Sequence, residues 1–248
     1  MLNIPNLVCC WDFSSESPYV SIEGNEYTLK EGNGPHTILS EGVIGSSAIE
    51  INEGQYLFVH RSHCKQLNIY GKHAQVSVLA WIKRKQKSYE QCEAIAGIWN
   101  ETMKKRQYCL FLNLRLFESA DQVCGHISGS GGATSGQQWC TDASIGKTQV
   151  KYDEWCFVAF TYDGQYIRSY LNGNLDERME RNPFAFNEGI FNGGVDGADF
   201  TVGAVDRQSE MGNYFAGLIS GLAVFDRALN SEEIKAIHLH FPLTGNKS

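Results

Sequence analysis

The stretch from Trp155 to Gly173, WCFVAFTYDGQYIRSYLNG, constrains the fold of this chain more than any other. Two runs of strand-forming residues flank Asp163-Gly164, a dipeptide that accepts the positive φ angles of a tight hairpin turn. In the first run Trp155, Phe157, Ala159 and Thr161 share one face, while Cys156, Val158, Phe160 and Tyr162 share the other. Both faces are largely apolar, as in an inner strand covered on both sides. In the second run Tyr166, Arg168 and Tyr170 alternate with Ile167, Ser169 and Leu171, which packs one face and leaves the other partly open. A second turn signal, Asn172-Gly173-Asn174, closes the unit. The hairpin is therefore the expected centre of a sheet.

Further runs of strand character occur at short intervals: Leu7 to Phe13, Ala48 to Ile51, Gln55 to Val59, Gln75 to Lys83, Glu93 to Trp99, Gln107 to Leu116, Val123 to Ser128, Phe200 to Val205 and Leu218 to Phe225. Ser14 to Ser47 is polar, shows little periodicity and reads as irregular chain punctuated by glycines. The one convincing helix is terminal, where Asn230 caps, Glu233 reaches back as in a capping box, and Ile234, Ile237 and His238 recur at helical spacing. Strands without interleaved helices predict an all-β fold, a two-sheet antiparallel jelly-roll sandwich with one short C-terminal helix. The 25 glycines against 5 prolines suit short strands joined by turns. No internal repeat or compositionally distinct linker divides the chain, so a single domain over residues 1–248 is expected.

Composition narrows the function classes. The net charge is −7, and no run of Lys or Arg is longer than Lys83-Arg84-Lys85, which disfavours nucleic acid as a partner because phosphate contacts need a basic face. The clusters Lys83 to Lys87 and Lys104-Lys105-Arg106 read as solvated strand ends and loops. No stretch approaches the roughly 20 apolar residues of a membrane span. The N-terminus lacks the basic and continuous apolar regions of a signal peptide, so the expectation is either a cytoplasmic protein or a chain whose leader has been removed. The eight cysteines include no C-x-x-C pair, which weakens a zinc or redox reading. Cys109 and Cys156 sit in apolar strand patterns and read as buried free thiols. Cys124 and Cys140 flank a glycine-rich loop and are placed to form a disulfide in an oxidising compartment, although a core of this size does not need a staple.

The hairpin pattern W-x-x-V-A-x-T-Y-D-G…Y-x-N-G, formed by Trp155, Val158, Ala159, Thr161, Tyr162, Asp163, Gly164, Tyr170, Asn172 and Gly173, resembles the laminin G-like jelly roll of the concanavalin A-like lectin/glucanase superfamily. Ser77, Ala80 and Trp81 resemble the family's S-x-x-A-W strand. Phe215 to Ile219 and Phe225 to Leu229 resemble its closing segment, and Trp11-Asp12-Phe13 its first strand. The chain departs from the pattern at Phe157, where a His is usual, and at Ser220-Gly221, where an acidic pair is common. The resemblance implies calcium held in rim loops, and the loop Gly193 to Asp199 offers Asp196 and Asp199 as carboxylate ligands.

No E-x-D-x-E strand of a glucanase is present. Glu90, Glu93 and Glu101 read as surface charges, and no G-x-S-x-G elbow supports serine chemistry. An enzyme is therefore the less favoured class. A sugar site needs an aromatic platform with amides, carboxylates or Arg for the hydroxyls. The candidates gather in one region: Trp99, Asn100, Glu101 and Arg106 at a strand connection, Asn113 and His126 on strand faces, and Gln137, Gln138, Trp139 and Asp142 after the loop Gly129 to Gly136. Asp206, Arg207, Glu210 and Asn213 form a further polar loop. The expected function is a non-catalytic carbohydrate-binding or adhesion-type module with a glycan as partner. The alternatives are a glycoside hydrolase or lyase with an atypical acid/base pair, and an intracellular protein-interaction domain.

Overall fold

The computed structural model describes residues 4–14 and 16–241. In chain order the strands are β1 (Leu7–Trp11), β2 (Glu23–Gly24), β3 (Lys30–Gly32), β4 (Thr37–Leu39), β5 (Ala48–Ile51), β6 (Tyr56–Val59), β7 (Val76–Arg84), β8 (Glu93–Ile98), β9 (Tyr108–Leu112) and β10 (Gln122–Ile127). They continue with β11 (Ala143–Gln149), β12 (Trp155–Tyr162), β13 (Tyr166–Leu171), β14 (Asn174–Leu175), β15 (Phe184–Ala185), β16 (Phe200–Val202), β17 (Val205–Arg207), β18 (Glu210–Gly212) and β19 (Gly217–Phe225), before helix α1 (Ser231–His240). The first sheet runs β14-β13-β12-β7-β19-β1-β2, with β5 on β19, β4 on β5 and β15 on β13. The second runs β11-β10-β9-β8-β16-β6-β3, and β17-β18 is a separate two-stranded ribbon. Both large sheets are antiparallel, so the expected two-sheet architecture with one short C-terminal helix is what the chain forms.

The hairpin occupies the place its pattern demands. β12 lies between β13 and β7, in register with β7 from Trp155 opposite Lys83 to Tyr162 opposite Val76. Its Val158, Phe160 and Tyr162 join Val78, Ala80 and Ile82 of β7 and Ile98, Leu110 and Val123 of the facing sheet in a shared core. On the other side Phe157 and Ala159 pack with Leu79, Trp81 and Tyr170 beneath Ile234 and Ile237 of α1. Two apolar faces thus serve two burials, each worth roughly 1.5–3 kcal/mol per large side chain. The Asn230 side chain accepts the Glu233 N–H at 2.9 Å, and the Asn230 N–H donates to Glu233 Oε2 at 2.9 Å, completing the capping box.

The departures from the family pattern have packing explanations. The register of β19 on β7 shifts between Ile219 and Gly221. At that bulge Ser220 Oγ accepts the N–H groups of Val43 (2.7 Å) and Ile44 (2.9 Å), and a Cβ on Gly221 would come 2.5 Å from Ile44 Cδ1. The Ser-Gly pair anchors the preceding loop over the sheet. Phe157 lies with its ring centroid 4.6 Å from that of Trp81 and stacks on His238 of α1.

Several expectations need correction. The stretch from Ser14 to Ser47 contains β2, β3 and β4, each of 2 or 3 residues, too short to leave a period. β9 ends at Leu112 instead of Leu116, because Asn113, Arg115, Phe117 and Glu118 adopt φ angles of 55°, 56°, 52° and 57°. Phe200 to Val205 is two strands, divided at Gly203 with φ 85°. Glu93 and Arg84 are not surface charges: they are 1% and 0% exposed. Arg84 Nη2 donates to Glu93 Oε1 at 2.7 Å and Nη1 to the Val150 carbonyl at 3.2 Å, tying β7 of one sheet to β8 of the other. Paired in this way the two charges are tolerated; either alone would be strongly destabilising. All eight cysteines are free, Cys124 and Cys140 included. No helix among the described residues is long and apolar enough to cross a membrane.

Candidate functional site

The outer face of the second sheet carries its own apolar layer. Cross-strand register builds it: Phe111 of β9 opposes Ala94 of β8 and Cys124 of β10, while Cys109 opposes Gly97 and His126. Trp99, one residue past β8, joins the layer with Leu114, Cys140 and Val205. Gly97 is required here, since a Cβ would meet the Tyr108 carbonyl oxygen at 2.3 Å. The cover is formed by loops and the β17-β18 ribbon, and it encloses a cavity of about 220 Å³. That is below the roughly 300–1,000 Å³ of sites for drug-sized ligands, a size suited to a small ring.

Trp99, Glu101, Phe111, His126, Trp139, Arg207 and Asn213 line this cavity, with Gln91, Cys92, Leu114, Arg115, Leu116 and Cys140. His126 is buried between two aromatic edges, its ring centroid 5.2 Å from Trp99 and 5.2 Å from Phe111. Neither ring nitrogen has a hydrogen-bond partner among the described residues. Burial, helped by the positive charge of Arg106, pushes the His126 pKa down to about 3. The ring is therefore neutral at physiological pH, with one nitrogen a donor and the other an acceptor.

The remaining groups are fixed by neighbours. Trp99 Nε1 donates to Glu101 Oε1 at 3.3 Å, and Arg106 Nη2 lies 3.9 Å from Glu101 Oε2. The Arg106 guanidinium stands 5.9 Å from the Trp99 ring centroid, and its Nη1 donates to the Gly131 carbonyl at 3.3 Å. Asn100 Oδ1 accepts the Met103 N–H at 2.7 Å and closes the turn after β8, while the Glu101 N–H donates to the Asp206 carbonyl at 2.8 Å and docks the ribbon. Asn113 Nδ2 donates to the Gln91 carbonyl at 2.9 Å. Arg207 Nη1 donates to Asn213 Oδ1 at 3.2 Å. Trp139 is 39% exposed at the mouth.

Of the residues singled out in the sequence, the fold brings Trp99, Glu101, His126, Trp139, Arg207 and Asn213 together around one cavity. Asn100, Arg106, Asn113 and Asp206 hold the surrounding loops rather than line it. Asp142 accepts the Thr134 hydroxyl at 2.9 Å inside the glycine-rich loop, and burial raises its pKa. Gln137 and Gln138 are exposed on that loop and do not line the cavity. Sequence reasoning missed Phe111, Cys92 and Cys140. Phe111 had a signal, because it alternates in β9 on the same face as Asn113 and Cys109.

A second cavity of about 300 Å³ adjoins the first, lined by Tyr89, Glu210, Met211 and Tyr214 and sharing Gln91 and Arg207 with it. Asp196 and Asp199, the residues expected to ligate calcium, lie outside both cavities. Asp196 is exposed, Asp199 Oδ1 accepts the Arg61 N–H at 2.7 Å, and the Arg61 Nε and Nη2 groups donate to the Gly194 carbonyl at 2.9 and 2.7 Å. A guanidinium thus holds the Gly194 carbonyl oxygen, one of the loop oxygens a cation would need. No group of three or more His, Cys, Asp and Glu among the described residues converges as metal ligands.

Fold and cavity together define the class: a jelly-roll sandwich with a small, mixed apolar and polar site on the outer face of one sheet. Residues 62–235 match the model of the Laminin_G_3 family of the concanavalin A-like lectin/glucanases superfamily, and the chain belongs to that family. A comparison with curated proteins finds no match. Among solved structures, domain 4 of AbnA, a GH43 extracellular arabinanase from Geobacillus stearothermophilus in complex with arabinotriose, aligns with a TM-score of 0.64 at 16% identity, over 94% of this chain and 98% of that one. The binding domain of Paraclostridial Mosquitocidal Protein 1 aligns with a TM-score of 0.65 at 14% identity, over 94% of this chain and 52% of that one. A botulinum neurotoxin type C structure, whose cell entry depends on interaction with two ganglioside molecules, aligns with a TM-score of 0.60 at 12% identity, over 96% of this chain and 52% of that one. This chain spans about half the length of the toxin chains, and at these identities the likeness shows the fold alone.

Proposed function

We propose that the chain is a non-catalytic carbohydrate-binding module whose site is the cavity on the outer face of the second sheet. The observation that carries this reading is His126: a neutral, buried imidazole with both nitrogens unpartnered, placed among the residues that line the cavity. An unsatisfied buried polar group costs about 1–3 kcal/mol. A ligand hydroxyl, which both donates and accepts, is a partner for either ring nitrogen. Trp99 and Trp139 supply aromatic surface for the C–H face of a sugar ring, and Glu101 and Asn213 supply partners for its hydroxyl groups.

One carboxylate, Glu101, lines the cavity, and Trp99 and Arg106 hold it. Glycoside hydrolysis ordinarily needs two facing carboxylates, so this lining favours binding over cleavage. The likeness to a domain seen with arabinotriose and to a toxin that interacts with gangliosides points the same way. The test is a glycan array followed by saturation-transfer NMR on the native chain and the His126→Phe variant. Binding to at least one glycan class, lost by ten-fold or more in the variant while its melting curve stays cooperative, is the expected result. Silence of the native chain across broad glycan classes would overturn the reading.

A further inference from the structure

The adjoining cavities share Arg207, and its surroundings name the kind of sugar the site takes. We infer that the cleft selects an anionic sugar, whose carboxylate or sulfate is bound by the Arg207 guanidinium at the junction of the two cavities while the ring lies on the Trp99 side; this rests on the carbohydrate reading above.

The charges around the cleft are mostly spoken for. Glu101 stands opposite Arg106, and Arg115 Nη1 lies 2.8 Å from Glu90 Oε2. Arg207 differs: no carboxylate among the described residues lies within ion-pair distance of it. Its one side-chain hydrogen bond among the described residues goes to the neutral Asn213 amide, and its Nε is buried without a partner. A guanidinium presents donors in a planar fork that matches a carboxylate, so an unpaired one facing two cavities is a receptor for an anion.

Its position is also prepared. Arg207 opposes Glu210 across the ribbon, and its stem lies over Gly212, where a Cβ would come 2.9 Å from both Cγ and Cδ of Arg207. The absence of a side chain at 212 therefore lets the arginine fold inward over its own hairpin. A ring seated between Trp99 and Trp139 with an acidic substituent on Arg207 directs the rest of the glycan toward Tyr89 and Tyr214 of the second cavity. Glu210, which is exposed, lines that second cavity as well.

The experiment measures equilibrium affinities of the native chain for matched acidic and neutral probes: sialyllactose against lactose, trigalacturonate against a neutral galactotriose, and a sulfated against an unsulfated disaccharide. The same set is run on Arg207→Gln and Gly212→Ala, each checked by thermal melting. The expected result is at least one acidic probe bound about ten-fold or more tightly than its neutral partner, as a charge-assisted pair provides. In Arg207→Gln the ratio falls to about one with neutral affinity kept within a few-fold, and in Gly212→Ala it falls part of the way. The carboxylate and sulfate arms separate the two anions. Equal affinity for acidic and neutral partners in the native chain, or an equal loss of both in Arg207→Gln, overturns the anion assignment and leaves the carbohydrate reading standing. Binding of no probe and no glycan at all overturns that reading first.

Discussion

The two sheets carry apolar layers on their outer faces that are built alike and finished differently. On the first sheet Trp81, Phe157 and Tyr170 are covered by α1, whose Ile234 and Ile237 sit three residues apart and press into the layer; about 40 Å³ remains beneath, lined by apolar side chains and Cys10. On the second sheet Phe111, Trp99 and Cys124 are covered by loops and a ribbon; about 220 Å³ remains, edged by His126, Glu101 and Arg207. A helix offers a regular row of side chains that interdigitates with a sheet. Loops built on positive φ angles, as at Asn113 and Arg115, turn their backbone away and leave room. The same sandwich thus has one face committed to stability and one that keeps a ligand-sized space.

This contrast is tested most severely on the helix-covered face. Phe157→Ala removes a fully buried ring between Trp81 and His238 and is expected to cost about 3–5 kcal/mol, read as a shift in the urea midpoint, while glycan affinity of the folded fraction stays unchanged. Loss of affinity in that variant would mean that the faces are not independent.

On the loop-covered face the sign reverses. His126→Phe keeps the aromatic bulk and removes two unpartnered nitrogens, so stability at pH 7 should hold or rise, by up to about 1–3 kcal/mol, as binding is lost. The pH dependence sharpens this. The unfolded imidazole takes a proton near pH 6.5, but the native one only near 3, so its contribution is complete above about 6.5 and falls as the pH drops toward 3. At pH 5 the native chain should have lost about 2 kcal/mol through this group, and His126→Phe should not show that loss in paired denaturation curves.

Smaller effects follow. Asn230→Ala removes the cap of α1 and should cost about 1 kcal/mol in thermal unfolding, with no change in binding. Trp139→Ala, at the mouth, should change stability by no more than about 0.5 kcal/mol yet weaken glycan binding measurably by calorimetry.

How far the sequence revealed these faces depended on whether the determining contacts were local. β12 and its turn were legible because period-two alternation and Asp163-Gly164 are contained within a few residues. The cap of α1 was legible for the same reason. β11 was not, since ASIGKTQ carries one large apolar residue and owes its strand state to pairing with β10. The burial of Arg84 and Glu93 was hidden, because each residue alone reads as surface and only the approach of two sheets pairs them. At the site, Trp99, Glu101, His126, Trp139 and Arg207 were marked by residue type. Their convergence depends on a ribbon docked on the turn after β8, more than a hundred residues earlier in the chain, and Phe111 and Cys140 looked like ordinary core.

The five tryptophans report directly on which face holds the ligand. Trp99 and Trp139 line the loop-covered cavity, Trp81 lies under α1, and Trp11 and Trp155 lie elsewhere. Indole N–H resonances of the 15N-labelled chain, followed while the strongest glycan from the array is added, make the decisive measurement. Shifts confined to Trp99 and Trp139 are what this account predicts; shifts at Trp81 or Trp155 with Trp99 and Trp139 unmoved would contradict it.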